Sequence, residues 1–214
     1  MAIDLETRDP NLIKQGPGWA TGDGEVVGIS IATAGWSGYL PISHQGGGNL
    51  DKPLIINWLQ KQLNTSSDKI FHNSLYDVGW LKREGVELQG KIQDTMVAAP
   101  LVNENRNRYS LDSLGAEYCG EQKDETLLRQ AAQEWGINPK SEMWKLPSKY
   151  VGPYAEQDAV LTLKLWQALK ILLEKQNLSS IYQLESELLP LLLQMRWQGI
   201  LIDQGKAEQT ADKL

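Results

Sequence analysis

Three short acidic motifs carry the chemistry this sequence could do. They are Asp4-Leu5-Glu6 at the start, Asn73-Ser74-Leu75-Tyr76-Asp77 in the middle and Tyr154-Ala155-Glu156-Gln157-Asp158 late in the chain. Four carboxylates, Asp4, Glu6, Asp77 and Asp158, could converge, with Tyr154 one helical turn before the last. Such a set can hold two divalent cations through oxygen alone. Two cations side by side clamp the attacking and leaving oxygens of a phosphodiester displacement, so the chemistry is that of a nuclease.

Each motif must be placed by an element. Side chains at i and i+2 of a strand share a face, so Asp4 and Glu6 project together while Ile3 and Leu5 pack on the other side. Two carboxylates on an interior strand are costly to bury unless a cation relieves them. Read alone, the pair equally fits a frayed first strand with two solvated acids. The second motif spans the end of a short strand, Lys69 to His72, and the start of a helix. Carboxylates there lie where open α/β sheets bind ligands. Asp77 shares a helical face with Trp80, Leu81 and Glu84; Asn73 is placed to cap the helix, and Tyr76 and His72 read as packing residues. The third motif opens a helix whose face runs through Tyr154, Asp158, Leu161, Leu165, Leu169 and Leu172. That face is apolar after its first turn, so the tyrosine and the acid point inward and need partners. Glu156 and Gln157 fall off it and read as solvated surface.

The remaining pattern supplies the scaffold. Met1 to Glu6, Glu25 to Thr33 and Gly35 to Ile42 read as strands, the last two as a hairpin. Asn11 to Gly24 and Gly46 to Gly48 read as loops. Lys52 to Leu63 repeats apolar residues at helical spacing. Lys91 to Asp94 is a short strand. Helices are expected over Ser74 to Glu84, Thr95 to Val102, Leu111 to Tyr118, Thr126 to Trp135, Tyr154 to Lys175 and Ile181 to Gln198, the last with Pro190 inside it. Asn138 to Pro153, with three prolines, reads as loop with a short helical turn. Strands first, then strands alternating with helices, then helices alone predict an α/β fold with a mixed sheet.

Composition narrows the function classes. The 214 residues are 41% hydrophobic and 22% charged, as in an ordinary globular domain. The net charge of −6 argues against a module that holds nucleic acid by phosphate attraction alone. It leaves room for an enzyme that meets a strand end through bound cations. One cysteine, Cys119, excludes an intramolecular disulfide and speaks against a zinc-thiolate site. No apolar segment fits a leader peptide, because Asp4 and Glu6 interrupt the start. Leu188 to Ile202 is too short and too polar to span a membrane. A soluble, cytoplasmic monomer is the expectation.

Together the motifs read D-x-E, N-x-x-Y-D and Y-x-x-x-D, roughly 70–80 residues apart. This pattern resembles the DEDDy 3′–5′ exonucleases of the DnaQ-like, ribonuclease H-like superfamily. Ile92-Gln93-Asp94-Thr95-Met96 followed by Ser110-Leu111-Asp112-Ser113-Leu114 is similar to the proofreading domain of family A DNA polymerases, and Tyr154 to Trp166 looks like its third exonuclease motif. Leu184 to Asp203 is similar to the connector that leads into the polymerase domain of that family. The resemblance implies a mixed five-stranded, ribonuclease H-like sheet flanked by helices, with a helical C-terminal extension. It implies an exonuclease domain over residues 1–176 and a connector over 177–214, toward a polymerase domain of the same parent chain. The start directly on the first strand looks phage-like.

The resemblance further implies the chemistry. Asp4, Glu6 and Asp158 would hold one Mg²⁺ or Mn²⁺; Asp4 and, through water, Asp77 would hold a second. Tyr154 would orient the attacking water, since a phenol is too weakly acidic to serve as base near neutrality. The substrate implied is a single-stranded or mispaired DNA 3′ end, and the product a 5′-mononucleotide. Thr7, Asn73, Arg106 and Arg108 are candidate nucleic-acid contacts. The residues after Glu6-Thr7 are Arg8-Asp9-Pro10 where the family often places an apolar wedge under the terminal base, and Leu12 is a substitute. Two other readings share these residues: a ribonuclease D-like enzyme trimming RNA 3′ ends, and a vestigial domain that only buttresses a polymerase.

Overall fold

Apolar residues at alternate positions of the first strand face one layer of helices, and small or acidic residues face the other. The computed structural model describes residues 1–213. Strand β1 (Ala2–Arg8) lies at the centre of a five-stranded sheet, between β2 (Glu25–Thr33) and β4 (Lys69–Phe71). Strand β3 (Trp36–Pro41) forms one edge and β5 (Ile92–Asp94) the other, in the order β3-β2-β1-β4-β5. The pairs β1–β2 and β2–β3 are antiparallel, whereas β1–β4 and β4–β5 are parallel. The mixed sheet expected from the motif pattern is therefore present.

Ile3, Leu5, Ile29 and Ile31 pack with Leu59, Leu63, Val78 and Trp80. Those last four belong to α3 (Lys52–Leu63) and α4 (Ser74–Arg83). Ala2 and Ala32 pack on the opposite face with Leu114, Leu161 and Leu165. That layer holds α5 (Thr95–Val102), α6 (Leu111–Tyr118) and the long α8 (Ser148–Lys175). The inward-facing partners of β1 on this side are small: Ala32 opposite Ala2, Ser30 opposite Asp4 and Gly28 opposite Glu6. Small residues let α8 approach closely, and they leave Asp4 and Glu6 as the large polar groups beneath it. A third cluster joins Leu128 and Ala131 of α7 (Thr126–Trp135) to Met143, Leu146, Val151 and Tyr154. Helix α9 (Ser179–Gln198) closes the other end, with Tyr182 in one core and Leu193 in the other.

Several boundaries differ from the sequence expectation. The segment 11–24 is not plain loop. It holds two single turns, α1 (Leu12–Gln15) and α2 (Gly18–Thr21), fixed by buried Trp19 and by Arg83, which donates to the carbonyls of Gly18, Gly22 and Asp23. Helix α8 begins at Ser148, not at Tyr154, and carries Pro153 within it. Burial of Val151, Tyr154 and Ala155 outweighs the one backbone hydrogen bond that proline removes. A last helix, α10 (Gln204–Ala211), follows exposed Ile200 to Ile202. Among the described residues no helix is long and apolar enough to cross a membrane.

Candidate active site

The face of β1 beneath α8 builds the site. Asp4 and Glu6 project from it, and Asp158 descends from α8 one turn after Tyr154. One carboxylate oxygen from each of Asp4, Glu6 and Asp158 lies within 4.8 Å of the others. Glu6 and Asp158 are buried, and Asp4 is half-buried. The helical face read from the sequence is the buried one through Tyr154, Asp158, Leu161, Leu165 and Leu169; at its end Leu172 is half-buried and Leu173 is the residue inside.

Crowding three like charges in a dry place raises their proton affinity. Burial, then the charges of Asp158, Asp77 and Glu6, push Asp4 well above the ordinary carboxylate range. Burial and Asp158 push Glu6 up to about 8. Asp158 is also raised by burial, against the opposing pull of Lys123. Asp77 lies outside the three-oxygen cluster but near it: its carboxyl, raised by burial and by Asp94, is one of the charges felt at Asp4.

Tyr154 lies beside the cluster with its ring between two lysines. Lys123 Nζ is 5.0 Å from the ring centroid and Lys140 Nζ 4.7 Å. Lys140 also donates to the Tyr154 hydroxyl at 3.3 Å. Burial and the charges of Asp158, Glu6 and Asp4 push the phenol further up, so it keeps its proton. Tyr39 fills the space over Gly28, opposite Glu6, that a Cβ would occupy. Its hydroxyl sits 2.6 Å from His44 Nε2, and His44 Nδ1 is 3.0 Å from the carbonyl of Leu146. A carbonyl only accepts, so Nδ1 carries the proton and Tyr39 donates to Nε2.

The expected cap at Asn73 is corrected. Asn73 adopts a left-handed conformation at φ 76° and its side chain makes no capping bond. Asp94, at the end of β5, does that work: it accepts from the backbone N–H groups of Asn73 and Ser74, and from that of Met96 at the start of α5. The other candidate contacts fare unequally. Thr7 Oγ1 is 2.7 Å from the Tyr76 hydroxyl, which donates to Asp9. Arg106 is tied to Glu117 and to Ser113, which leaves its guanidinium engaged within the protein. Arg108 lines an open groove with Ser110, Asp112, Lys123, Thr126 and Arg129. Leu12 lies exposed in α1.

Sequence reasoning missed Lys123, Lys140 and Gln157. Lys123 Nζ is 2.8 Å from Asp158 Oδ1 and 3.2 Å from Asp112 Oδ1, with its side chain 7% exposed. Gln157, expected on the solvated surface, is half-buried and brackets the loop that carries Lys123. It accepts from the N–H of Asp124 and donates to the carbonyl of Gln122. The one signal available was the placement of Gln157 beside Asp158; nothing in the loop sequence told which acid Lys123 would meet.

The residues fit a hard divalent cation. The donor set is oxygen only, the three oxygens converge, and the cation that meets them in the chain itself is the Lys123 ammonium, on Asp158 Oδ1. Three carboxylates brought together where water is largely excluded favour a positive partner, and an oxygen-only set suits a hard divalent cation.

A family model described as 3′–5′ exonuclease matches residues 1–174. A DNA-directed DNA polymerase of Pseudomonas phage M6 is 40% identical over 95% of this chain, and DNA polymerase I of Pseudomonas aeruginosa is 28% identical over 84%. The chain spans 31% of the phage protein and 20% of the bacterial one. Among solved structures, Brucella melitensis NrnC with bound Mg²⁺ superposes with a TM-score of 0.65 at 18% identity, covering 92% of this chain and 85% of that one, which speaks to the fold alone. The matched segment holds β1, α4 and α8 with all four acids and the tyrosine, and so the chain belongs to the 3′–5′ exonuclease family of A-type DNA polymerases.

Proposed function

We propose that this domain removes 5′-mononucleotides from single-stranded or mispaired DNA 3′ ends, as the proofreading part of a longer polymerase. The observation that carries this reading is the convergence of Asp4, Glu6 and Asp158 oxygens on one buried point, with Tyr154 beside it. Asp4, Glu6 and Asp158 would hold one divalent cation, and Asp4 with Asp77 a second. Bound cations of this kind supply a water of lowered pKa and stabilise charge on the leaving 3′-oxygen.

The chain's own residues do the rest. Tyr154 holds its proton and donates it as a hydrogen bond, so it positions water without removing a proton. Lys140 occupies the phenol oxygen from behind and fixes which way the O–H turns. Arg108 and Arg129, in the groove beside Lys123, offer cationic partners for strand phosphates. The groove is open, so a flexible single strand reaches it more readily than a paired end. The region from residue 177 onward would lead toward the polymerase domain of the parent chain. Exposed Leu184, Leu188, Leu191, Leu192 and Met195 along α9 suit that docking.

The test is hydrolysis of an oligonucleotide labelled on its 3′-terminal nucleotide, with Mg²⁺ or Mn²⁺ and with EDTA. Release of single 5′-mononucleotides from DNA, dependent on metal and faster than from the matched RNA, is the expected result. Equal or faster release from RNA would shift the reading to an RNA-trimming enzyme. No release from either would leave a domain that only supports a polymerase.

A further inference from the structure

The carboxylate cluster is met by a cation from the chain itself. Lys123 Nζ stands 2.8 Å from Asp158 Oδ1, on a carboxylate that also offers an oxygen to the convergence with Asp4 and Glu6. The ammonium is nearly sequestered, at 7% side-chain exposure. It is not a stray surface lysine, because Gln157 of α8 binds the backbone on both sides of it. It also has a second partner outside the cluster: Asp112 Oδ1 at 3.2 Å, on a side chain 54% exposed in the first turn of α6. Lys123 therefore bridges an inner acid and an outer one.

We propose that Lys123 is a resident counter-ion of the cluster, which competes with the divalent cation for Asp158 and withdraws to Asp112 when the cation binds. The inference rests on the reading of the cluster as a cation site. Three crowded carboxylates resist ionising together, and the ammonium beside Asp158 favours the charged form of that one in the metal-free protein. A divalent ion on the same carboxylate repels the ammonium. Asp112 gives it a place to go without leaving the protein or losing its charge. Burial alone would lower the lysine pKa, but Asp158 and Asp112 together hold it above the ordinary value, so the group beside Asp158 is an ammonium. The arrangement lets the site stay folded without metal and still accept it, at some loss of metal affinity. Lys123 is thus a positioning residue that tunes cation binding.

The competition gives two substitutions opposite signs, which a merely structural role would not. Calorimetric titration of the whole chain with MnCl₂ at low ionic strength reads the affinity directly, with no substrate present. Lys123→Met removes the competitor, and Mn²⁺ should bind tighter by about tenfold. Asp112→Asn removes the refuge, and Mn²⁺ should bind several-fold more weakly. Lys123→Arg keeps the charge and should stay close to wild type. In EDTA, Lys123→Met should melt at a lower temperature than wild type, since the cluster loses its counter-ion. Unchanged or weaker Mn²⁺ binding by folded Lys123→Met overturns the proposal, as does a shift of both variants in the same direction. If Lys123→Met does not fold, the sign of the Asp112→Asn shift decides. If wild type binds Mn²⁺ but the variants match it, this inference fails alone; if wild type binds none, the reading of the site fails first.

Discussion

Asp94 and Asp158 are equally removed from solvent, at 2% and 5% exposure, yet their oxygens keep different company. Asp94 accepts three backbone N–H groups and so ties the start of α4 to the start of α5. Asp158 faces Asp4 and Glu6, and its donor is a side-chain ammonium, that of Lys123. One carboxylate is spent on structure. The other, on the reading proposed above, holds a cation. Burial alone does not tell the two apart; the company of other carboxylates in place of backbone N–H donors does. Asp77 connects the two surroundings: the charges of Asp94 and Glu6 raise its carboxyl, and its own charge raises Asp4.

The contrast can be broken most sharply by deleting each acid in turn. Asp158→Ala should abolish nucleotide release, by about 10³-fold or more, while circular dichroism and the melting transition remain those of a folded domain. Asp94→Ala should do the converse first, costing about 2–3 kcal/mol in urea denaturation because three N–H groups, one buried and two part-buried, lose their acceptor. If Asp94→Ala is as stable as wild type, the assignment of that residue to structure fails. Tyr154→Phe should lower kcat about 10–100-fold with little effect on Mn²⁺ affinity, since it removes water positioning and no ligand. A comparable loss of metal binding would place the tyrosine in a different role.

The smallest effect is the pH dependence of the metal-free protein. Glu6 sits at about 8 in the fold against an ordinary 4.5, through burial and Asp158. Its carboxyl therefore holds a proton in the folded chain at pH values where the unfolded chain has lost it. The stability this contributes is full below pH 4.5 and drains as pH rises through 8. Asp4 and Asp158 are shifted the same way. In EDTA, Glu6→Gln should gain on wild type by about 1–2 kcal/mol as pH climbs from 5 to about 8.5. A difference that is flat across that range would mean that Glu6 is not crowded.

Much of this was legible in the residues, for reasons that differ by element. The pairing of Asp4 with Glu6 follows from strand geometry, and the inward turn of Tyr154 and Asp158 from helical periodicity along Leu161, Leu165 and Leu169. Those are local rules, and they held. What depended on contacts distant in sequence did not show. Asn73 looked like a cap because of its type and place, but Asp94, a residue from another strand, took the N–H groups. Helix α8 started six residues early because Val151 meets Leu128 and Met143, which no rule about Pro153 contains. Lys123 sits in a loop without periodicity, so its partner could come only from tertiary structure. The small residues Gly28 and Ser30 are the subtler case. They read as ordinary members of a β-rich run, but they keep the strand opposite Asp4 and Glu6 small, and Gly28 makes room for the Tyr39 ring.

The most direct test of the central claim is the position of bound metal in crystals of the wild-type domain grown or soaked with Mn²⁺, read from anomalous scattering. The account predicts a peak at about 2.1 Å from oxygens of Asp4, Glu6 and Asp158, the distance of a hard cation from its ligands, and none at Asp94. A fully soaked crystal with no peak among those three acids, or with metal only elsewhere on the domain, would contradict it.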